Sequence, residues 1–255
     1  MNIIAANWKM NKTIEESIAF FNEFNTKLSD LSKDNNNIIE NNTIIISPSF
    51  ISLSEISKIK NEHIKLAAQN MYFEESGAFT AEVSPLMLKG LCDYVIIGHS
   101  ERRQIFKEPN QFINKKVLSA LDHSLVPILC IGETEDERKK KKTNAVLETQ
   151  LKACLKNVSE NQMKNVIVAY EPLWAIGTGK TATPEIAQEA HSFIREVLTD
   201  MYSQTTARQL HLLYGGSVKP ENASELIKEK DINGFLIGGA SLDANKFAEI
   251  IVNSN

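Results

Sequence analysis

The sequence predicts an α/β protein folded as a single (β/α)8 barrel that takes in residues 1–255. Three observations predict it. Eight short apolar runs recur along the chain, each followed by a segment with helical periodicity. The runs are continuous and rich in β-branched residues rather than alternating, as parallel strands covered by helices require. No shift of composition divides the 255 residues, a length at which a barrel of this kind is normally one domain. A doubly wound open sheet also alternates strands with helices, but eight regular units favour closure.

The predicted strands are Ile3–Ala6, Thr43–Ser47, Ile64–Ala68, Tyr94–Ile97, Val126–Cys130, Val166–Ala169, Leu210–Tyr214 and Gly234–Ile237. Amphipathic segments separate them. Ile14, Ile18, Phe21 and Leu28 mark the first, opened by the capping box Thr13-x-x-Glu16. Phe112, Ile113, Val117, Ala120 and Leu121 mark the fourth. Ile186, Ala190, Phe193, Ile194 and Val197 mark the sixth, with Thr183 as N-cap and Pro184 at the first helical position. Phe247, Ile250 and Ile251 mark the last. The asparagine-rich stretch Asp34 to Asn42 reads as a polar surface loop.

Composition narrows the function. Hydrophobic residues make up 42% and charged residues 24%, as in an ordinary globular protein. A net charge of −4 argues against nucleic acid as the main partner. The basic run Lys139–Lys142 follows Glu133, Glu135, Asp136 and Glu137, and acids before bases suit the dipole of a helix beginning near Thr134. Three cysteines, Cys92, Cys130 and Cys154, with no C-x-x-C, indicate neither a disulfide framework nor a zinc knuckle. No secretory signal and no run of membrane-spanning length is read, so a cytoplasmic, reducing location is expected.

In a barrel the active site is built at the C-terminal ends of the strands. There the sequence offers Asn7-Trp8-Lys9, Gly98-His99-Ser100-Glu101, Cys130 to Glu133, Glu171, Gly215-Gly216-Ser217 and Gly238-Gly239. The stretch Tyr170–Lys180, YEPLWAIGTGK, concentrates the signal. Glu171 stands at the end of a buried strand, and Pro172 stops the ladder. Gly177 and Gly179 give the following loop hinge residues, so a movable lid over a carboxylate base is expected. Most glutamates are surface carboxylates; the position of Glu171 between strand and Pro/Gly-framed loop points to function. Gly179-Lys180-Thr181 lacks the first glycine of a phosphate-binding Walker loop, and Gly177-x-Gly179 lies six residues past the strand, too far for a dinucleotide fingerprint.

The paired glycines after strands seven and eight suit a phosphate held by backbone N–H groups, to which Gly177 could add one more. Tight turns alone would also use glycine; two pairs on consecutive strands, one followed by Ser217, favour phosphate. Lys9 is either a solvated lysine or a fixed charge for an anionic substrate and a developing enolate. A Schiff-base lysine is the rival role, but no lysine stands at the end of the sixth strand. Of five histidines, His63, His99, His123, His191 and His211, only His99 ends a strand, and none has zincin spacing, so no metal or other cofactor is expected. A helix starting after His99 would disfavour the imidazolium and leave a neutral ring able to donate a hydrogen bond.

The blocks AANWKMN (5–11), IIGHSERR (96–103), ILCIGE (128–133), YEPLWAIGTGK, YGGSV (214–218) and GFLIGGASL (234–242) resemble those of the triosephosphate isomerase family, in its order, over essentially the whole chain. The resemblance implies the TIM-barrel fold and interconversion of dihydroxyacetone phosphate and D-glyceraldehyde 3-phosphate in glycolysis and gluconeogenesis. It implies Glu171 as base, His99 as electrophile and proton shuttle, and Lys9 as enediolate-stabilising cation. Asn7 and Glu101 complete that set, and Gly177, Ser217, Gly238 and Gly239 hold the phosphate. The pairing of a glutamate base with a neutral histidine is the worked case of this family in general accounts of pKa tuning. Two departures stand out: Leu173 where the family more often has valine, and Ala81 where glycine is usual.

Rival readings are a sugar-phosphate epimerase or aldolase barrel, which would need a second acid, a metal or a buried lysine, and a catalytically silent barrel, which would not need Lys9, His99 and Glu171 together. The loop Gln69–Val83 carries Tyr72, Phe73 and Phe79, with Gly77 at its turn. The resemblance implies a homodimer in which this loop enters a second subunit and brings Thr80 near the partner's Asn7 and Lys9.

Overall fold

The eight runs become eight parallel strands because their Ile, Val, Leu and Ala side chains can be buried on both faces at once. A computed structural model describes residues 1–34, 38, 40–175 and 182–255, with the side chains of 32 and 34 left out. The strands are β1 (Asn2–Asn7), β2 (Asn42–Ser47), β3 (Ile64–Ala68), β4 (Tyr94–Ile97), β5 (Val126–Ile131), β6 (Ile167–Tyr170), β7 (Leu212–Tyr214) and β8 (Gly234–Ile237). Ala5 pairs with Ile45 of β2 and with Leu236 of β8, which closes the sheet in the order β1 to β8 and excludes the open sheet.

Around it lie α1 (Ile14–Asp34), α2 (Phe50–Ile59), α3 (Pro85–Leu88), α4 (Ser100–Gln104), α5 (Asn110–Asp122), α6 (Glu135–Lys139), α7 (Thr143–Cys154), α8 (Glu160–Met163), α9 (Pro184–Met201), α10 (Gln204–Gln209), α11 (Pro220–Leu226) and α12 (Ala244–Asn253). Their caps follow the sequence signals. Glu16 and Thr13 exchange the two bonds of a capping box, as do Glu137 and Thr134, and the Thr183 hydroxyl accepts from Ile186 N–H. Among the described residues no helix is long and apolar enough to cross a membrane.

Strand residues divide between two cores. Ile3, Ala5, Ile45, Ala67, Ile96, Ile128, Ala169, Leu213 and Leu236 fill the barrel interior. Their neighbours Ile4, Ala6, Ile44, Ile46, Val95, Ile97 and Val168 join the helices in the outer core. This inside–outside alternation is hidden in the sequence because both faces are apolar.

Two expectations need correction. Asp34 to Asn42 is not a polar surface loop throughout: α1 runs to Asp34, Ile38 is helical and buried, and Asn42 opens β2 with its amide donating to Ile38 C=O. One buried isoleucine among the asparagines outweighs the composition. Glu133 does not join the acids at the head of α6. It is fully buried, and α6 has Glu135, Asp136 and Glu137 in its first turn.

The loop 69–83 is folded on itself. Tyr72 stacks on Phe73 at 4.3 Å and meets Phe79 at 4.5 Å, and Phe73 meets Phe112 of α5 edge-on. Residues 74–82 are nevertheless all exposed. Ala81 sits at φ 75°, in the left-handed region where a Cβ is strained. Ala81→Gly is therefore expected to raise folding stability by up to about 1 kcal/mol, after allowing for the greater freedom of glycine in the unfolded chain. Denaturant melts of the two proteins check this.

Candidate active site

The carboxylate end of β6 lies in a tight backbone frame. Glu171 N–H donates to Ile131 C=O at 2.7 Å, and Gly215 N–H donates to Tyr170 C=O at 2.7 Å. A Cβ at Gly132 would lie 1.8 Å from the Glu171 carbonyl oxygen, and one at Gly215 3.0 Å from its Cγ. Only glycine permits this approach of three strand ends, and it fixes where the carboxylate can stand.

Glu171 is 2% exposed, and both of its oxygens are held. Oε2 accepts from the Ser100 backbone N–H at 2.8 Å, and Oε1 lies 2.9 Å from His99 Nε2. His99 caps α4, with its Nδ1 accepting from Glu101 N–H at 3.3 Å. A nitrogen that accepts carries no proton, so the ring is the neutral tautomer with its hydrogen on Nε2, aimed at Glu171. Arg103 fixes this turn from behind, donating to Gly98 C=O and to Cys130 C=O.

Burial works to raise the Glu171 pKa. The His99 ring, the Ser100 N–H and the Lys9 charge outweigh it and hold the carboxyl below the usual range. Lys9 itself is at φ 55°, a strained conformation for a lysine. Three contacts keep it there. Its N–H donates to Asn7 Oδ1 at 3.0 Å, its carbonyl accepts from Gln69 Nε2 at 2.9 Å, and its Nζ bonds Glu101 Oε1 at 2.8 Å. Gln69 Nε2 also reaches Ser47 C=O at 2.9 Å, so one amide ties the ends of β1 and β2 together.

Asn7, Lys9, His99, Glu171, Ser217, Gly238 and Gly239 line a single cavity of about 600 Å3. Glu101 touches it through Lys9. Gly177 lies outside the described residues, with the rest of 176–181. A Cβ on Gly239 would meet nothing within 4 Å, and one on Gly238 would make only ordinary contact with Lys9. The protein's own packing does not demand glycine here, so the open space suits a ligand that approaches the backbone. Gly239 also begins a 3-10 turn, whose first N–H groups have no acceptor within the turn.

Sequence reasoning missed Gln69, the Ser100 N–H and the role of Glu133. The buried Glu133 carboxylate accepts from Tyr170 Oη and Trp174 Nε1, lies 3.4 Å from Arg138, and so ties β5, β6 and the turn after Glu171 together. Leu173, half-buried in that turn, donates its N–H to Glu133 C=O at 3.1 Å.

Fold and site together define a class: (β/α)8 barrels in which a carboxylate–imidazole pair and an ammonium group face a glycine-lined cavity, the equipment of proton-transfer enzymes. Within that class, the family model described as triosephosphate isomerase matches residues 2–254. A triosephosphate isomerase of Clostridium tetani is 49% identical over 251 residues, covering 98% of this chain and 95% of its own. Those of Finegoldia magna and Fusobacterium nucleatum are 50% and 49% identical, with 98% and 99% of this chain covered and 97% and 98% of theirs. The chain belongs to the triosephosphate isomerase family.

Proposed function

We propose that the family's interconversion of dihydroxyacetone phosphate and D-glyceraldehyde 3-phosphate runs in this chain on Glu171, His99 and Lys9. The observation that carries the reading is the Glu171–His99 contact of 2.9 Å at the closed end of a cavity that also holds Lys9 and the Gly238–Gly239 turn. With the substrate phosphate on the turns of Ser217, Gly238 and Gly239, with Gly177 as a further donor, its carbonyl takes over the Nε2–H of His99. Glu171 loses that hydrogen bond and part of the Lys9 field while remaining buried. Desolvation then dominates, and the carboxylate becomes a stronger base.

Glu171 removes the proton from C1 of dihydroxyacetone phosphate, and the C–H electron pair forms the C1–C2 double bond. The carbonyl electrons move to O2, which takes the proton from His99 Nε2. The ring then recovers a proton from the O1 hydroxyl, and Glu171 returns its own to C2. The positive charge of Lys9 stabilises the enediolate oxygen. Asn7 holds the Lys9 backbone, and Glu101 orients the ammonium group. The pathway context is glycolysis and gluconeogenesis. A coupled assay with glyceraldehyde 3-phosphate tests the activity: turnover is expected, and an inactive, folded protein would reject it.

Gln69 acts as a positioning residue for Lys9. Gln69→Leu leaves the Lys9 carbonyl without its donor, leaves the Ser47 carbonyl with the Trp8 N–H alone, and frees a strained residue. A loss of about tenfold in kcat/KM is expected, mostly in KM, with an unchanged circular dichroism spectrum. Steady-state kinetics with that split checks it; unchanged constants would remove Gln69 from the site.

Residues 1–255 are assigned to one catalytic barrel domain, with a cytoplasmic location that suits three free, buried cysteines. We assign the working form to a homodimer through loop 69–83. The support is where apolar surface lies. Met10, Phe50, Ile51, Phe79, Leu86, Met87, Ile105 and Phe106 are exposed large hydrophobics that follow the consecutive strands β1 to β4, whereas Met1 and Val252 lie at the two ends of the chain. The former therefore share one side of the barrel, and a two-fold partner would cover them. Thr80→Arg, a bulky charge in the middle of the exposed run 74–82, is expected to yield monomers and to lower kcat. Sedimentation with parallel assays decides it: a monomeric wild type, or a fully active monomeric variant, refutes the link.

A further inference from the structure

The cavity is larger than a three-carbon phosphate needs, and its outer part has its own lining. Beyond the glycine turns it is bounded by Lys219, just before α11, and Lys246, in the first turn of α12. The two lysines come from different elements and are both exposed. Neither has a carboxylate within ion-pair distance among the described residues, although Glu221 and Glu249 share the rim. On a chain of net charge −4, two ammonium groups held out of ion pairs at the mouth of the cavity that holds Glu171 offset the rim carboxylates Glu221 and Glu249 and leave the outer cavity near neutral. Each sits on a four-carbon stem able to turn toward an anion in the cavity.

We propose that Lys219 and Lys246 form a second anion subsite, which holds the distal anionic group of a bifunctional organic phosphate whose first phosphate occupies the Ser217 and Gly238–Gly239 turns. The inference rests on the proposed phosphate site. Such ligands would block the cavity end to end and act as inhibitors competitive with the triose phosphate. Glu249 stands three residues after Lys246 on the same helix face and competes for it, so it weakens the subsite without abolishing it.

Calorimetric titration of the full chain with propyl phosphate and with propane-1,3-diyl bisphosphate tests the proposal. The bisphosphate is expected to bind about fivefold to tenfold more tightly than the monophosphate at low salt, the sum of two exposed charge contacts. The advantage should shrink as salt is added. The double variant Lys219→Gln, Lys246→Gln should bring the ratio of the two dissociation constants to about one, and Glu249→Gln should increase it. A wild-type ratio of one, or a ratio the double variant leaves unchanged, overturns the subsite while the phosphate site stands. Failure of propyl phosphate itself to bind overturns both.

Discussion

Shortening the Glu171 side chain to aspartate should lower kcat by about 100-fold with little effect on KM, because it withdraws the carboxylate by roughly 1 Å from the carbon it must reach. Glu171→Gln should go further, to a loss of up to about 10⁴-fold, the full contribution of a positioned general base. Two features make the effect this large. Glu171 is buried, with Ser100 N–H and His99 holding one oxygen each, so no water can stand in for the missing methylene. No other carboxylate among the described residues lines the inner cavity; Glu221 and Glu249 lie on its outer rim. The pH profile should agree. The free-enzyme carboxyl is held below the usual range, so the base stays ionised as pH falls toward that range, and kcat/KM drops only once pH passes below the depressed value. The same sign applies to stability: the contribution of Glu171 is present above the unfolded carboxyl pKa and is lost as pH falls through the folded one. A near-normal kcat for Glu171→Asp would mean that a different residue takes the proton.

Lys9→Met should cost about 100- to 1,000-fold in kcat/KM, divided between KM and kcat. A unit charge near 4 Å from a developing oxyanion at a partly screened site is worth on the order of 4 kcal/mol at most. The substitution also strands Glu101, whose Oε1 now bonds Lys9 Nζ at 2.8 Å, beside an anionic substrate. Glu101 is 43% exposed on its side chain, so water can solvate it and the fold should survive. The salt dependence of kcat/KM should weaken in parallel, because part of the field that draws in a dianion has gone. Unchanged kinetics would return Lys9 to the surface lysines.

The barrel was legible because its strands are unbroken Ile, Val and Leu runs of similar length at similar spacing, and because Thr13, Thr134 and Thr183 announce helix starts. The strand ends were less so: Val166 falls in a turn and Leu210 caps α10, since apolar character marks burial and not pairing. Glu171 and His99 could be found because the barrel rule converts strand ends into a search list. Gln69 could not. Its partners are 60 and 22 residues away, and no local pattern encodes a side chain that bridges two carbonyls on other strands. The burial of Glu133, placed at the end of the fifth strand, was hidden for the same reason: it depends on Tyr170, Trp174 and Arg138 arriving from other elements. Ala81 was noticed as a departure from the family, but only its φ of 75° says why glycine suits that position.

Proton transfer through Glu171 is tested most directly by running the isomerisation in D2O and reading the products by NMR. Wild-type protein should place solvent deuterium at C1 of dihydroxyacetone phosphate formed from D-glyceraldehyde 3-phosphate, since the proton on the carboxylate can exchange before it returns. Glu171→Gln should lose isomerisation and labelling together. Product formed at full rate without any deuterium, or labelling by Glu171→Gln at the wild-type rate, would contradict the account.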